Sequence, residues 1–167
     1  LRNLGAAGTD PFARLSLSEV LAEVAKPLES LGKTIRIVRH DEVEPEPILT
    51  RNVGLLYGLG NLIENAVQFA TSAVRVEAFW DKSIIGVTIV DDGPGFREDL
   101  IARLGEPYLT TRERNIDLGD APGGLGLGIF IAKTLLERTG ARLYFANAGP
   151  QGNARVRIIW PRKAFDT

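Results

Sequence analysis

The sequence predicts an α/β protein: a two-layer α/β sandwich in which a mixed, mostly antiparallel sheet carries three main helices on one face. Three observations lead there. Apolar residues recur at helical spacing in three long stretches. They alternate with polar residues in several shorter ones. Short turns read as hairpins at both ends of the sheet, which a doubly wound parallel sheet would lack. At 167 residues, 44% of them hydrophobic, the chain can bury one ordinary core.

The elements follow in order. Leu1 to Leu15, with Gly5, Gly8 and Pro11, shows little periodicity and reads as a linker, so the main domain is expected over residues 16–167. Val20, Leu21, Val24, Leu28 and Leu31 then fall three and four apart. They predict a helix with Ser18 as N-cap and Pro27 as the residue that kinks or ends it. Thr34 to Arg39 reads as a strand, and Pro45 and Pro47 lead into a short extended Ile48-Leu49. Residues 52–70 form the clearest helix. Val53, Leu56, Leu59, Ile63 and Val67 make an apolar stripe, while Tyr57, Asn61, Asn65 and Gln68 line up on another.

Val74, Val76, Ala78 and Trp80 alternate with Arg75 and Glu77 as a half-buried strand. Asp81-Lys82-Ser83 makes a hairpin turn, and Ile84 to Val90 is apolar on both faces, as a central strand should be. A small helix is expected near Glu98–Leu104. From Leu104 to Gly124 no period is visible, and irregular stretches of that length in compact domains are mostly functional. The third long helix runs from about Leu125 to Thr139 and ends at Gly140. Two strands, Leu143–Ala146 and Arg155–Trp160, close the sheet through a turn at Asn147-Ala148-Gly149-Pro150.

Composition narrows the function classes. Lys+Arg number 20 against 21 Asp+Glu, a net charge of −1, which removes the electrostatic case for nucleic acid as a main partner. No apolar run approaches the roughly 20 residues that span a bilayer, and no signal peptide is visible, so this stretch is expected to be soluble. Absence of cysteine rules out disulfides and thiolate metal sites. With no methionine and Leu1 as its first residue, the chain is expected to be a fragment of a longer protein.

Three polar stretches carry the chemistry. Asn61 and Asn65 sit one turn apart on one helix face, with Glu64 beside them and Gln68 a turn further on. An amide oxygen is a neutral, hard ligand, suited to a magnesium ion that keeps most of its waters and shares phosphate oxygens. The plain alternative is a solvated helix face. Asp91 ends a buried strand, a costly place for a carboxylate unless it accepts strong hydrogen bonds, such as from the exocyclic amine of a purine. Gly93 and Gly95 leave room for a flat ring against the backbone, although Asp-Gly and Pro-Gly also favour ordinary turns. Gly124, Gly126 and Gly128, alternating with Leu125 and Leu127, stand where the last long helix begins, and free N–H groups at a helix start favour phosphate. Their spacing is not G-x-G-x-x-G, and the Gly-Lys-Ser/Thr of a Walker loop is missing. In this order, the stretches supply the parts of an ATP site.

Those residues resemble the catalytic ATP-binding domain of two-component sensor histidine kinases, a branch of the superfamily that includes gyrase, Hsp90 and MutL. The likeness runs from about Ser16 to Pro161. Asn61–Ala70 looks like the N box, Asp91–Gly95 the G1 box, Glu106-Pro107-Tyr108 the F box and Gly124–Gly128 the G2 box. The resemblance implies the Bergerat α/β sandwich with a long ATP lid, about residues 104–124. It implies that Asn65 coordinates magnesium, Asn61 assists around the phosphates, and Asp91 binds the adenine amino group with Gly93 and Gly95 walling the base. Thr110-Thr111-Arg112 stands where similar kinases carry a basic residue, making Arg112 the candidate γ-phosphate contact and Arg114 the runner-up. Glu106–Arg112 also resembles redox-responsive kinases of the Reg/Prr type.

Position 61 separates branches of that superfamily. ATP-hydrolysing relatives carry there a glutamate that activates water, whereas Asn61 cannot act as a base. Glu64 is turned by about 100° from Asn65 and reads as a supporting group. Two departures stand out: Gln68 replaces a basic residue found in many histidine kinases, and Gln151-Gly152-Asn153-Ala154 lacks the usual Gly-Thr.

The resemblance implies a kinase that passes the ATP γ-phosphoryl to a histidine on a separate dimerisation domain, and from there to a response regulator. The alternatives are an ATPase clamp and a nucleotide-sensing module without phosphotransfer. The sole histidine, His40, lies in Arg39-His40-Asp41-Glu42 at a strand end and reads as a surface residue rather than the substrate. The phosphoacceptor domain is therefore expected before Leu1. The domain itself is expected in the cytoplasm, with the full-length protein anchored in the bacterial inner membrane only through a sensor region outside this sequence.

Overall fold

The computed structural model describes residues 13–40, 44–106, 127–149 and 152–165. The chain enters through β1 (Arg14–Ser16), so the last residues of the stretch read as linker belong to the fold. Helix α1 (Leu17–Ala25) starts from Ser16, not from Ser18. The Ser16 hydroxyl accepts the Glu19 N–H at 3.1 Å, and the Glu19 carboxylate accepts the Ser16 N–H at 2.8 Å. This reciprocal box needs an acidic residue three positions on, which Ser16 has and Ser18 lacks. Ser18 instead donates its N–H (2.8 Å) and its hydroxyl to Glu46, tying the helix to the segment ahead of β3 (Ile48–Thr50). Pro27 falls in a 3-10 turn, Lys26–Leu31, that ends α1 as expected. The strand β2 (Thr34–Arg39) follows, and β3 then pairs antiparallel with β1 in a small separate ribbon.

Helix α2 (Val53–Phe69) is capped by Asn52, whose side-chain oxygen accepts the Leu55 N–H at 2.8 Å. Its buried face is Leu55, Gly58, Leu59, Leu62, Ile63, Ala66 and Val67. Val53, expected in that stripe, is 74% exposed. Two residues before Leu55, it is turned roughly 200° away from the core direction. Gly58 permits the close approach of α3 (Leu127–Arg138): a Cβ there would lie 2.7 Å from Leu136 Cγ.

The strands β4 (Ala73–Trp80), β5 (Ile84–Asp91), β6 (Arg142–Gly149) and β7 (Gly152–Pro161) complete a five-stranded sheet in the order β2-β4-β5-β7-β6. Only β2 and β4 are parallel. The β4–β5 hairpin occupies the middle of the sheet and β6–β7 one edge, so hairpins do not sit at both ends. The other edge is β2, which reaches β4 through α2, and such a crossover gives parallel neighbours. Strand β5 is central and buried along most of its length, as its apolar run predicts. The last two strands outrun their expected limits, and Asn147 lies in paired strand opposite Ala154 rather than in a turn. The expected small helix is a 3-10 turn, Glu98–Arg103.

Val74, Val76, Ala78, Ile85, Val87, Ile89, Val156 and Ile158 alternate onto one sheet face and pack with the buried faces of the three helices. Gly140, in the left-handed region at φ 100°, ends α3, and the Ala141 N–H reaches back to the Leu136 carbonyl at 3.2 Å. Among the described residues, no helix is long and apolar enough to cross a membrane.

Candidate functional site

The four polar residues singled out on α2 come together. Asn61, Glu64, Asn65 and Gln68 line a cleft of about 210 Å³ with Tyr57, and Leu127, Gly128 and Ile131 from the start of α3 close its other side. Three- and four-residue spacing puts these side chains on one helical face, away from the buried set. Lys33 fixes the end of that helix: its ammonium donates to the carbonyls of Val67 (2.7 Å), Gln68 (3.4 Å) and Ala70 (2.6 Å). A cation there satisfies orphan carbonyls and complements the negative end of the helix dipole.

Among the described residues, the cleft thus combines amide oxygens, one carboxylate and the N-terminus of α3. Among the described residues, no group of three or more His, Cys, Asp and Glu could hold a metal ion. The donor set fits a magnesium ion that arrives with phosphate oxygens and keeps its waters, with Asn65 the expected amide ligand.

Asp91 closes β5 and is 2% exposed; its Oδ1 accepts the Gly93 N–H at 2.9 Å. Gly93 is pressed on the end of α2, where a Cβ would stand 2.0 Å from the Phe69 carbonyl oxygen, and Gly95 has φ 89°. Both glycines are thus required by the loop's own geometry. Asp91 lines a second cavity of about 200 Å³ with Arg36, Arg75, Val90 and Asn153, not the cleft of Asn61 and Asn65.

Three supports of this loop escaped the sequence reading. Asp92 accepts the N–H groups of Thr71 (2.8 Å), Ser72 (2.9 Å) and Ala73 (3.1 Å) and the Ser72 hydroxyl (2.7 Å), locking the α2–β4 connection to the end of β5. Burial opposes its ionisation, but the hydrogen bonds from Ser72, Ala73 and Thr71 prevail and hold its carboxyl at about 2. Asn147 offers its Oδ1 to the Phe96 N–H (2.7 Å) and donates from Nδ2 to the Phe96 carbonyl (3.0 Å), acting as a short piece of extra strand. Asn153, at φ 55°, donates its N–H to the Gly93 carbonyl at 3.0 Å. Phe96 also meets Phe145 edge-on, with ring centroids 6.0 Å apart. The β6–β7 hairpin therefore holds the loop after Asp91 at two points. Asparagine tolerance of the left-handed region was the one signal available for Asn153. None marks a clamp on a residue 51 positions away.

Leu127 and Gly128 of the glycine-rich stretch are placed at the cleft. Thr110, Thr111, Arg112, Arg114, Gly124, Leu125 and Gly126 lie outside the described residues, as does the expected lid beyond Glu106. His40 is a surface residue as expected: its side chain is 48% exposed and its Nε2 is 3.6 Å from Glu77 Oε1.

Comparison with known proteins bears on this geometry. The family described as Histidine kinase-, DNA gyrase B-, and HSP90-like ATPase matches residues 51–164. The sensor histidine kinase RegB of Cereibacter sphaeroides is 39% identical over 178 residues, covering 96% of this chain and 38% of RegB. The sensor histidine kinase CpxA of Escherichia coli is 29% identical over 143 residues, covering 86% of this chain and 30% of CpxA. The chain thus spans under two fifths of the length of either relative. In fold, it is similar to the mycobacterial sensor histidine kinase MprB, with a TM-score of 0.72 at 17% identity over 90% of this chain and 97% of that one. Full-length ShkA, solved in complex with AMPPNP, gives a TM-score of 0.68 at 24% identity over 90% of this chain and 31% of that one. With the two-layer sandwich in place and the family matched across residues 51–164, the chain belongs to the histidine kinase-, DNA gyrase B- and HSP90-like ATPases.

Proposed function

We propose that this chain is the ATP-binding catalytic domain of a sensor histidine kinase in two-component signalling, and that it transfers the γ-phosphoryl of MgATP to a histidine on a separate dimerisation domain. The observation that carries the reading is the cleft beneath α2, where Asn61, Asn65 and Gln68 face the N-terminus of α3 and position 61 holds an amide. Asn65 would hold magnesium, which would supply positive charge beside the phosphates; Asn61 would support the phosphates, and the α3 N–H groups would offset their charge. Asp91 takes the adenine amine, and Arg112 the γ-phosphate. In the transfer, the bond from the γ-phosphorus to the β–γ bridging oxygen breaks and a phosphorus–nitrogen bond forms on the imidazole. The attacking nitrogen is the one that holds the lone pair; ADP leaves, and the proton on the other ring nitrogen passes to solvent. Positioning and charge stabilisation supply the rate, as in phosphoryl transfer generally. The phosphoryl group then passes to a response regulator, and the full-length protein meets the inner membrane through a sensor region outside this sequence.

The test is a pair of measurements on the chain. MgATP binding should be lost, by about tenfold or more, in Asp91→Asn, because the amide oxygen that keeps the Gly93 N–H leaves an NH2 donor, in place of a charged acceptor, toward the adenine amine. The chain alone should not label itself from γ-labelled ATP, since its one histidine is His40 at the surface. It should phosphorylate an added dimerisation domain that carries a histidine. A base-stable, acid-labile label on the chain itself, or an unchanged affinity in Asp91→Asn, overturns the proposal. Glu64 gives a second reading some footing, because it shares the cleft with Asn61 and Asn65. Steady ATP turnover that disappears in Glu64→Gln would make this a hydrolase.

A further inference from the structure

The sheet face turned away from the helices carries an unbalanced set of arginines. Since Val74, Val76, Val156 and Ile158 point into the core, their alternates point out from the opposite face. Register sets Arg36 beside Arg75, Arg75 opposite Val90, and Val90 opposite Arg155. In the following rows come Arg157, paired with Tyr144, and Arg142, paired with Ile159. Glu77 is the one carboxylate that these strands place on the face, and it is taken by Arg75 and approached by His40. Among the described residues, Arg36, Arg142, Arg155 and Arg157 have no carboxylate within ion-pair distance. Asp92, just past the strand end, is engaged by Thr71, Ser72 and Ala73.

A solvated sheet face ordinarily mixes charges, and like charges side by side cost stability. Here the concentration of positive charge occurs in a chain whose net charge is −1. The cations are all arginine, whose planar fork matches carboxylates in a way that lysine does not. They are interleaved with aromatic groups: Tyr144 is 53% exposed, and the Arg157 guanidinium lies over the Phe79 ring at 5.6 Å from its centroid. Arginine and tyrosine are the residues enriched in protein–protein contact. Five strands about 4.8 Å apart give several hundred Å², about the size of one side of a small transient interface.

We propose that this open sheet face docks an acidic protein surface, one that presents several Asp or Glu side chains over a flat patch. The face lies on the far side of the sheet from α2 and α3. Asp91 borders the cavity beside Arg36 and Arg75, but it pairs with core-facing Val74, so its carboxylate turns to the helix side and docking leaves both it and the polar cleft accessible. The proposal does not depend on what that cleft binds.

The experiment uses the whole chain and a fluorescein-labelled poly-L-glutamate peptide, read by anisotropy at low and raised salt. Wild type should bind, more weakly as salt rises. Arg36→Glu with Arg155→Glu should weaken binding about tenfold or more. Arg103→Glu with Arg138→Glu changes net charge equally away from the face and should weaken it less than about twofold. Thermal melting of each variant checks folding, and the neutral pair Arg142→Gln with Arg157→Gln reads the same effect, about threefold, if the reversal pair does not fold. No binding by wild type, or equal loss in the control pair, overturns the proposal. So does tighter binding, through the same arginines, to phosphatidylglycerol-containing vesicles or to oligo(dT), which would make the face a lipid or nucleic-acid surface.

Discussion

Asn147 offers the sharpest test of how the loop after Asp91 is held. Its side chain pairs with both backbone groups of Phe96, and Phe96 is 3% exposed. Asn147→Ala removes two hydrogen bonds worth about 1 kcal/mol each in net terms, and leaving a buried N–H or carbonyl unpaired raises that toward 1–3 kcal/mol each. Water can reach the site beside exposed Glu98, 3.3 Å from Asn147 Nδ2, so the lower end applies: a loss of about 2 kcal/mol. For a chain of this length that is a fall in melting temperature of about 4–8 °C. Urea unfolding of wild type and Asn147→Ala reads it directly. Asn147→Asp sharpens the test. It keeps an acceptor for the Phe96 N–H but sets a carboxylate against the Phe96 carbonyl and Glu98. At pH 7 it should be no more stable than Asn147→Ala. Toward pH 4, protonation supplies an O–H donor and should lift it above Asn147→Ala. A cost under about 0.5 kcal/mol for Asn147→Ala, with no pH-dependent gain in Asn147→Asp, would refute the clamp as described.

Asp92 and Gly86 give two further measurements. The Asp92 carboxyl is held at about 2 against an ordinary 3.8, so its stabilisation is complete above about pH 4 and is lost as pH falls through about 2. Because water reaches this exposed residue and screens it, about 1 kcal/mol is expected at pH 7 in Asp92→Asn, with the gap to wild type closing between pH 4 and 2 in urea melts. At Gly86, a Cβ would stand 1.9 Å from the Phe79 ring, so Gly86→Ala should cost about 2 kcal/mol. Adding Phe79→Ala should recover about half of it, because the obstacle is the end of a side chain; strict additivity in the double-mutant cycle would refute that account.

What the sequence made legible follows from the range over which each signal acts. Helix faces, alternation and caps depend on neighbours within a few residues, and α2, β4, β5 and the Gly140 stop emerge close to their expected positions. Ser16 was readable too, since the acidic residue three ahead distinguishes it from Ser18. The cleft was legible for the same reason, because Asn61, Glu64, Asn65 and Gln68 share one helix. The parallel edge was not, because β2 meets β4 only after β3 and α2 intervene. Nor were Asp92 and Asn147, which support the Asp91 loop, or Lys33, which fixes the end of α2. They act on partners 19 to 51 positions away, and in a sequence each looks like an ordinary turn or surface residue.

On the proposed function, the amide at position 61 also decides how long bound ATP survives. General-base assistance is worth about 10²–10⁴-fold, or roughly 3–5 kcal/mol of barrier at 1.36 kcal/mol per tenfold. A water held by Asn61 receives none of it, since a neutral amide accepts a hydrogen bond but not a proton. Among the described residues, Glu64 is the one carboxylate lining the cleft; it shares the face of Asn61 and Gln68 but stands about 60° around α2 from position 61 and about 100° from Asn65. On the proposed reading, a carboxylate displaced from position 61 would order water in the cleft without taking the place of the missing base. Bound nucleotide would then persist until an imidazole is presented from another domain, and an imidazole, neutral near pH 7, brings its own lone pair and needs no base to become a nucleophile. That is why the same pocket can serve a transferase with an amide where a hydrolase needs a carboxylate.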